Sequence, residues 1–335
     1  MNENQKRIVR FLKERSTYPH KVSRIEIKET HISWVFLTGK FAYKVKKEVK
    51  FGGILDFTTL QLRKKFCQRE IVLNRVLCKD MYLGVVKIIE ENGKPRIVNL
   101  QHRGKSLEYA VKMLDIPQQY LMDNLVINNR IDYKTVDNLV NLLVRFHHST
   151  PTNPKIKKFG SVREIMKTIN ENFTTLSKLT KVNSLLERKL VQFVQNNKDL
   201  FNQRIKENKI RDIHGDLHLQ NIFIVKNKFY LYDRIEFNDS LRYGDVASDV
   251  AHLAMDFDYY GKENLRKHFV SRYISKSGDR NLNRIIYFMM CFKACVRAKV
   301  SQFRANNESD ARKRLGYSSE SKNRFKVAES YLDFF

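Results

Sequence analysis

Residues 213–237, IHGDLHLQNIFIVKNKFYLYDRIEF, contain side chains whose types and spacing could do chemistry. Ile222–Val225 and Phe229–Leu231 are short apolar segments joined by Lys226-Asn227-Lys228, a composition that predicts a β-hairpin. In a hairpin, the residues just outside both strands lie next to each other at the open end. Here those residues are Asn221 and Asp233, and an amide oxygen beside a carboxylate suits Mg²⁺. The pattern therefore predicts a divalent cation site.

Asp216 lies five residues before Asn221, on the segment that leads into the same end of the hairpin. A carboxylate there could accept a proton from an attacking hydroxyl. Taken singly, Asp and Asn at strand ends commonly serve as turn and cap residues. Together, D-x4-N followed by a hairpin and another Asp favours phosphoryl-transfer chemistry over coincidence.

A second indication comes from the segment predicted as a helix from Leu60 to Cys78. Glu70 falls on a stripe that is otherwise apolar, formed by Leu62, Phe66, Leu73 and Leu77. A buried carboxylate needs a cation, and the predicted strand Phe41–Lys47 offers Lys44. A strand lysine paired with a helix glutamate steadies a cation on the phosphates of ATP. Lys46 points to the same side of the strand, so the choice between the two lysines stays open, as does a Glu70 that reaches water at the helix edge.

The elements around these residues change character along the chain. The first part reads as strands around one helix: Val22–Glu29, Ser33–Leu37, Phe41–Lys47, Val85–Ile89, Arg96–Leu100 and Leu107–Leu114. Capping boxes at Thr58-x-x-Gln61, Ser161-x-x-Glu164 and Ser184-x-x-Glu187 predict helix starts. After Asp115 the pattern is mostly helical. We therefore expect an α+β fold with two lobes, a strand-rich lobe over 1–113 and a helical lobe over 114–335.

The motif His214-Gly215-Asp216-Leu217-His218-x-x-Asn221, with Asp233 downstream, resembles the catalytic loop and metal-binding Asp of aminoglycoside phosphotransferase-type kinases. Those kinases share the protein-kinase fold. The resemblance extends over nearly the entire chain, through the segments 29–39, 42–44, 235–239 and 245–251. These segments look like a branch of the family whose members are often fused to a C-terminal P-loop ATPase domain. The sequence has no G-x4-G-K-[ST] motif, so we expect a stand-alone kinase-like domain.

The resemblance implies a role for each matching residue. Asp216 would be the catalytic base, Asn221 and Asp233 would hold Mg²⁺, and Lys44 would contact the phosphates with Glu70 as its partner. Thr30–Ser33 would form a turn over the phosphates with the Ser33 hydroxyl as a donor, and Tyr109–Met113 would be the hinge along which adenine lies. Apart from the resemblance, Glu236 lies three residues after Asp233 and could serve a second Mg²⁺ or a cationic substrate. Support of the catalytic loop would come from His214, Asp245 and Asp249.

Composition limits the alternatives. The 335 residues include 63 Lys and Arg against 36 Asp and Glu, a formal net charge of +27. This excess is scattered along the chain, a distribution more typical of solubility than of nucleic-acid recognition. The longest apolar run, Ile285–Phe292, is far shorter than the roughly 20 residues of a membrane-spanning helix. The first residues lack a signal-peptide pattern, and the four cysteines form no disulfide framework, so we expect a cytoplasmic protein.

These observations predict an ATP- and Mg²⁺-dependent phosphotransferase that acts on a hydroxyl of a small molecule. A protein acceptor is less favoured because the sequence lacks an activation segment running from D-F-G to A-P-E. Two alternatives stay open at this point: a catalytically silent nucleotide-binding or scaffold module of the same fold, and a basic protein associated with nucleic acid.

Overall fold

The computed structural model describes residues 3–335, and its architecture is α+β, as the sequence predicts. Its strands, numbered along the chain, are β1 (Glu26–Glu29), β2 (Ser33–Leu37), β3 (Phe41–Lys46), β4 (Lys50–Phe51), β5 (Leu55–Asp56), β6 (Tyr82–Glu91), β7 (Lys94–Asn99), β8 (Glu108–Leu114), β9 (Ile210–Asp212), β10 (Ile222–Val225), β11 (Lys228–Leu231) and β12 (Tyr243–Asp245).

The helices are α1 (Glu3–Phe11), α2 (Leu60–Cys78), α3 (Met122–Ile127), α4 (Tyr133–Ser149), α5 (Pro154–Lys157), α6 (Val162–Leu179), α7 (Ser184–Asn196), α8 (Lys198–Lys206), α9 (Val246–Tyr259), α10 (Glu263–Ser277), α11 (Leu282–Asn307) and α12 (Ala311–Glu329). Within the described part of the chain, none of these helices is long and apolar enough to cross a bilayer.

The chain forms two compact units. The first contains the described residues up to Leu121 together with Asn221–Asp239, and the second contains Met122–Gln220 and Ser240–Phe335. The strand pair β10 and β11 therefore groups with the sheet-containing unit, although it follows most of the helices in sequence. The expected division between residues 113 and 114 stays a prediction about functional lobes.

An antiparallel sheet of six strands, in the order β1-β2-β3-β8-β6-β7, organises the first unit. Tight turns set its register: Gly39 at φ +86° closes the turn between β2 and β3, and Asn92-Gly93 at φ +50° and +72° joins β6 to β7. β3 is an inner strand, paired with β2 on one side and β8 on the other. Its side chains are therefore buried from Ala42 to Lys46, including both lysines.

Helix α2 packs against β6 and β8 of the same unit. Its N-cap is Thr59, whose hydroxyl accepts a hydrogen bond from the Leu62 amide at 3.1 Å. The capping box predicted at Thr58 was wrong by one residue, because Thr58 is bonded to the side chain of Asp56 instead. A similar correction applies to α7, which Asn183 caps instead of Ser184. The predicted cap of α6 at Ser161 is confirmed.

The second unit is mostly helical, and α9 lies near its centre. Eleven residues of α9 are buried, so this helix has almost no solvent-exposed face. It packs against α10, α11 and α12. A charged side chain on such a helix must find partners inside the protein.

Candidate active site

The first unit contains a buried cluster of lysines and carboxylates. Lys44 and Lys46 extend from the same face of β3 toward Glu70 of α2. The Nζ of Lys44 lies 2.9 Å from Glu70 Oε1, and the Nζ of Lys46 lies 2.7 Å from Glu70 Oε2. Glu70 is fully buried. The structure thus places Glu70 between both candidate lysines and not at a water-exposed helix edge.

The two lysines differ in their second partners. Lys46 is 0% exposed and forms an ion pair with Glu236, whereas Lys44 is 11% exposed and lies 2.5 Å from Asp233 Oδ1. Burial acts to lower the pKa of Lys46, but Glu236 and Glu70 raise it above its usual value. Burial likewise acts to raise the pKa of Glu70, but Lys44 and Lys46 lower it to about 2. The lysines and Glu70 are therefore charged at neutral pH.

Asp233 follows the β10–β11 hairpin that the sequence predicts, with one difference in register. A two-residue turn, Lys226-Asn227 at φ +48° and +64°, joins the strands, so Asn221 lies opposite Tyr232. The Tyr232 amide donates to the Asn221 carbonyl at 3.0 Å. Asp233 is one residue beyond that pair and has φ +64°, a left-handed conformation that Asp tolerates better than most residues. Its backbone amide donates to the Tyr82 hydroxyl at 3.2 Å.

Asn74, which the sequence analysis missed, fixes the segment after Asp233. Its side-chain oxygen accepts from the Arg234 amide at 2.8 Å, and its nitrogen donates to the Glu70 carbonyl at 3.0 Å. Asn74 lies one helical turn after Glu70 on α2. An i, i+4 spacing from a suspected functional residue was the only signal available in the sequence.

The cluster contains more carboxyl groups than ammonium groups. Three carboxylates, from Glu70, Asp233 and Glu236, face two ammonium groups, from Lys44 and Lys46. The Asp233 side chain is 43% exposed, so its carboxylate can be reached from solvent. Among the described residues there is no group of three or more His, Cys, Asp or Glu side chains placed to hold a metal. Mg²⁺ does not require one, because it takes one or two protein oxygens plus water and phosphate oxygens.

Three other predicted residues of this unit have defined places. Ser33 is fully buried in β2, and its hydroxyl has no hydrogen-bond partner among the described residues. Met113 is buried in β8, opposite Ala42 of β3. Glu236 is buried against Lys46, and its pKa is raised because burial outweighs that pairing. The phosphate, adenine and substrate roles of these residues stay predictions.

In the second unit, Asp249 of α9 holds the segment that carries Asp216. Its Oδ2 accepts from the His214 amide at 2.8 Å, and its Oδ1 accepts from the Gly215 amide at 3.0 Å. His147 of α4 contacts the same carboxylate at 3.2 Å and is itself bonded to the Tyr273 hydroxyl at 2.7 Å. Asp249 therefore fixes the backbone immediately before Asp216.

Asp245 acts differently from Asp249. Its Oδ1 caps α9 by accepting from the Ala247 amide at 2.8 Å, and both oxygens bind the buried guanidinium of Arg204. Arg204 also binds Asp279 at 3.0 Å. Asp245 therefore anchors the start of α9, and the loop contacts come from residues further along that helix.

Two histidines flank the Asp216 carboxylate. His218 Nε2 lies 3.6 Å from Oδ2, and His252 Nδ1 lies 4.0 Å from Oδ1. Burial acts to raise the pKa of Asp216, but its interaction with His218 outweighs that effect and holds the pKa well below the usual range. Asp216 is therefore ionised at neutral pH, and its side chain is 42% exposed. An ionised, reachable carboxylate on a fixed backbone can accept a proton.

Comparison with solved structures gives the fold. The GDP and kanamycin complex of APH(2″)-IIIa aligns with 97% of this chain and 98% of its own, with a TM-score of 0.55 and 14% identity. The chain has the protein-kinase-like fold of the aminoglycoside phosphotransferases. Choline kinase from Cryptosporidium parvum aligns with 98% of this chain and 95% of its own, with a TM-score of 0.51 and 12% identity. An ethanolamine kinase from Plasmodium vivax covers 91% of this chain and 81% of its own, at a TM-score of 0.50 and 14% identity.

Sequence comparison adds relatives of the kinase-like chain. Uncharacterized proteins from Mycobacterium tuberculosis and Mycobacterium bovis are 32% identical to it over 285 residues. The alignment covers 82% of this chain and 54% of theirs, so the chain spans about half the length of the curated relatives it matches. None of the protein-family models matches the chain.

Proposed function

We propose that the chain is an ATP- and Mg²⁺-dependent phosphotransferase of the aminoglycoside phosphotransferase type, acting on a hydroxyl group of a small molecule. The observation that carries this proposal is the position of Lys44, which contacts both Glu70 and Asp233 inside the first unit. Phosphotransferases of this fold use a strand lysine, a helix glutamate and a metal-binding aspartate in that combination. Solved structures with the same fold include kinases that act on small molecules.

Lys44 is our choice for the phosphate lysine. Lys46 is fully buried between two carboxylates, whereas Lys44 retains some exposure and its partner Asp233 is partly open to solvent. In this proposal, Lys44 neutralises phosphate charge while Glu70 holds its ammonium group in place. The proposal also keeps the roles that the resemblance implies for Ser33, in a turn over the phosphates, and for Met113, in the adenine hinge.

Asn221 and Asp233 are the residues that we propose for Mg²⁺. An amide oxygen and a carboxylate fit a hard cation. When bound, the ion neutralises charge on the phosphates of ATP. Asp233 is held for this task by its own amide on Tyr82 and by the neighbouring Arg234 amide on Asn74.

Asp216 is the proposed base. The acceptor hydroxyl oxygen forms a bond to the γ-phosphorus while the bond from that phosphorus to the β–γ bridging oxygen breaks, so ADP leaves. The hydroxyl proton passes to Asp216, which returns it to water after the phosphorylated product departs. The low pKa of Asp216 keeps the carboxylate ready for this step at neutral pH.

We place the nucleotide site on the sheet-containing unit and the acceptor site on the helical unit, which carries Asp216. All four cysteines are buried free thiols, which supports the expected cytoplasmic location.

An assay of ADP formation tests the proposal. Wild-type protein is incubated with ATP, with or without Mg²⁺, and a library of small hydroxyl compounds. We expect Mg²⁺-dependent turnover that Asp216→Ala and Lys44→Met each reduce by at least 100-fold, while Lys276→Met, which removes an exposed lysine of α10, has no effect. Tight ATP binding without turnover on any acceptor would favour the silent nucleotide-binding module. Steeply salt-dependent binding to nucleic acid would favour the third alternative.

A further inference from the structure

Helix α9 presents three polar side chains on one face. Asp249, His252 and Asp256 are spaced i, i+3 and i+7, whereas the residues between them are apolar and buried. The spacing of helical turns brings all three to the same side. They face the segment that runs from His214 to Leu219.

The two outer residues of this face hold the backbone of that segment at both ends. Asp249 accepts from the amides of His214 and Gly215, and Asp256 accepts from the Leu219 amide at 2.9 Å. Asp256 is in turn fixed by Arg324 of α12 at 2.5 Å. His252 lies between these two anchor points, and its Nδ1 is 4.0 Å from Asp216 Oδ1.

His252 is buried against the ring of His218, and this packing leaves its polar atoms without hydrogen bonds within the part of the chain that the structure describes. The ring is 1% exposed, and neither of its nitrogens has a hydrogen-bond partner among the described residues. Leaving a buried donor unpaired destabilises a protein, so a side chain that only filled space would be more stable without nitrogens. Burial and the nearby Lys293 ammonium lower the pKa of His252 well below its usual value, so the ring is neutral. A neutral ring has one N–H to donate.

We propose that His252 is a positioning residue for Asp216: its ring N–H holds Oδ1 and fixes the orientation in which the carboxylate accepts the acceptor's proton. This inference rests on the proposed role of Asp216 as the base. A shift of about 1 Å brings His252 Nδ1 within hydrogen-bond range of Asp216 Oδ1. One bridging water would connect the same two atoms without a direct hydrogen bond. His252 then completes a three-point support, with Asp249 and Asp256 on the backbone and His252 on the reacting side chain.

Other charged groups surround His252 and Asp216 and also affect the protonation of Asp216. His218 faces Oδ2 of Asp216 from its own loop, and Lys293 and Arg297 approach from α11. Lys293 also donates to the Gly215 carbonyl at 3.4 Å. These groups are present in every variant of His252, so a change between variants reports the loss of its N–H.

Two variants separate the positioning role from simple packing. His252→Phe keeps a ring of similar shape without a nitrogen, and His252→Gln supplies an N–H donor without the ring. We expect His252→Phe to lower kcat at least tenfold with the KM for ATP within twofold of wild type, and to move the acid limb of the pH–rate profile upward. His252→Gln should recover most of kcat. His268→Phe, which removes a half-buried histidine from α10, is the control and should match wild type.

A direct titration keeps the inference independent of turnover. Asp216 is observed by NMR in protein labelled at aspartate carboxyl carbons and assigned with Asp216→Asn. The titration midpoint should rise by at least half a pH unit in His252→Phe and return toward the wild-type value in His252→Gln. An unchanged midpoint and kcat in His252→Phe would overturn the inference. If none of the proteins turns over ATP, the proposed function fails, but this titration still decides the role of His252. If His252→Phe does not fold, His252→Leu replaces it.

Discussion

Glu70 and Lys46 form a fully buried ion pair in which Lys46 Nζ lies 2.7 Å from Glu70 Oε2. Both side chains are 0% exposed, and each has a second charged partner: Lys44 for Glu70, and Glu236 for Lys46. A chain of four alternating charges therefore runs through the interior of the first unit. Removing one member leaves its neighbour charged and unpaired, which is far more costly than removing a surface charge.

Lys46→Met is expected to destabilise the protein by about 3–5 kcal/mol, because it leaves Glu236 buried without a cation. Urea unfolding at pH 7 measures the loss. The double variant Lys46→Met/Glu236→Gln removes both charges and should recover part of it. Lys228→Met, which breaks an exposed pair with Asp80, serves as the control and should change stability by no more than about 0.5 kcal/mol. Equal effects of the buried and exposed variants would contradict the argument.

Lys44→Met should lower activity more than it lowers stability. Glu70 keeps Lys46 as a partner, so the variant should be more stable than Lys46→Met. We expect kcat/KM for ATP to fall at least 100-fold, since no other group in the cluster combines a charge of that sign with access to Asp233. Steady-state ADP formation and urea unfolding on the same preparations give both numbers. A larger activity loss in a well-folded Lys46→Met would reassign the phosphate lysine.

The loss of folding stability at acidic pH should reveal the contribution of Glu70. Its pKa falls from the usual 4.5 to about 2 in the folded protein, because Lys44 and Lys46 outweigh the effect of burial. A group with a lowered folded-state pKa stabilises the protein above its unfolded-state pKa and loses that contribution as pH falls. Between pH 4.5 and 2, Glu70 should therefore account for about 3 kcal/mol of lost stability. Urea unfolding of wild type and Glu70→Gln across this range checks the slope, and Glu29→Gln, at an exposed pair with Lys47, should leave it unchanged.

Much of this arrangement could be predicted from local sequence patterns. Asn92-Gly93 predicted its hairpin, and the apolar stripe of α2 predicted a buried Glu70 that needed a cation. The choice between Lys44 and Lys46 could not be made, because residues two apart on a strand share a face. The two lysines differ because Lys46 pairs with Glu236, which lies 190 residues further along the sequence. The part played by Asp256 and His252 was also hidden, because α9 is apolar on nearly all sides and its contacts are set by tertiary packing.

Asp249→Asn should slow catalysis without weakening nucleotide binding. Each carboxylate oxygen of Asp249 accepts a hydrogen bond, one from the His214 amide and one from the Gly215 amide. An asparagine side chain has only one oxygen, and its NH₂ group is a donor, so one of these two contacts is lost. We expect kcat to fall by about 10- to 100-fold and the midpoint of thermal unfolding to drop, while the Kd for ATP stays within twofold. Calorimetry and ADP formation test this, with Asp137→Asn at a surface pair as the control. An equal loss of ATP affinity would show that Asp249 acts beyond its own loop.

Asp233→Asn should weaken the binding of Mg²⁺ without weakening the binding of ATP itself. Asp233 is the exposed carboxylate of the first-unit cluster, and the substitution removes one negative charge from the cluster. It also removes the partner that Lys44 holds at 2.5 Å, which frees that ammonium for phosphate. We expect the Mg²⁺ concentration for half-maximal ADP formation to rise at least tenfold, while ATP measured without Mg²⁺ binds as tightly as to wild type or more tightly. Asp239→Asn removes a nearby carboxylate that pairs with Arg69, so it matches the charge change without altering the cluster. If the two variants shift the Mg²⁺ dependence equally, general electrostatics explains the effect and Asp233 loses its place as a ligand.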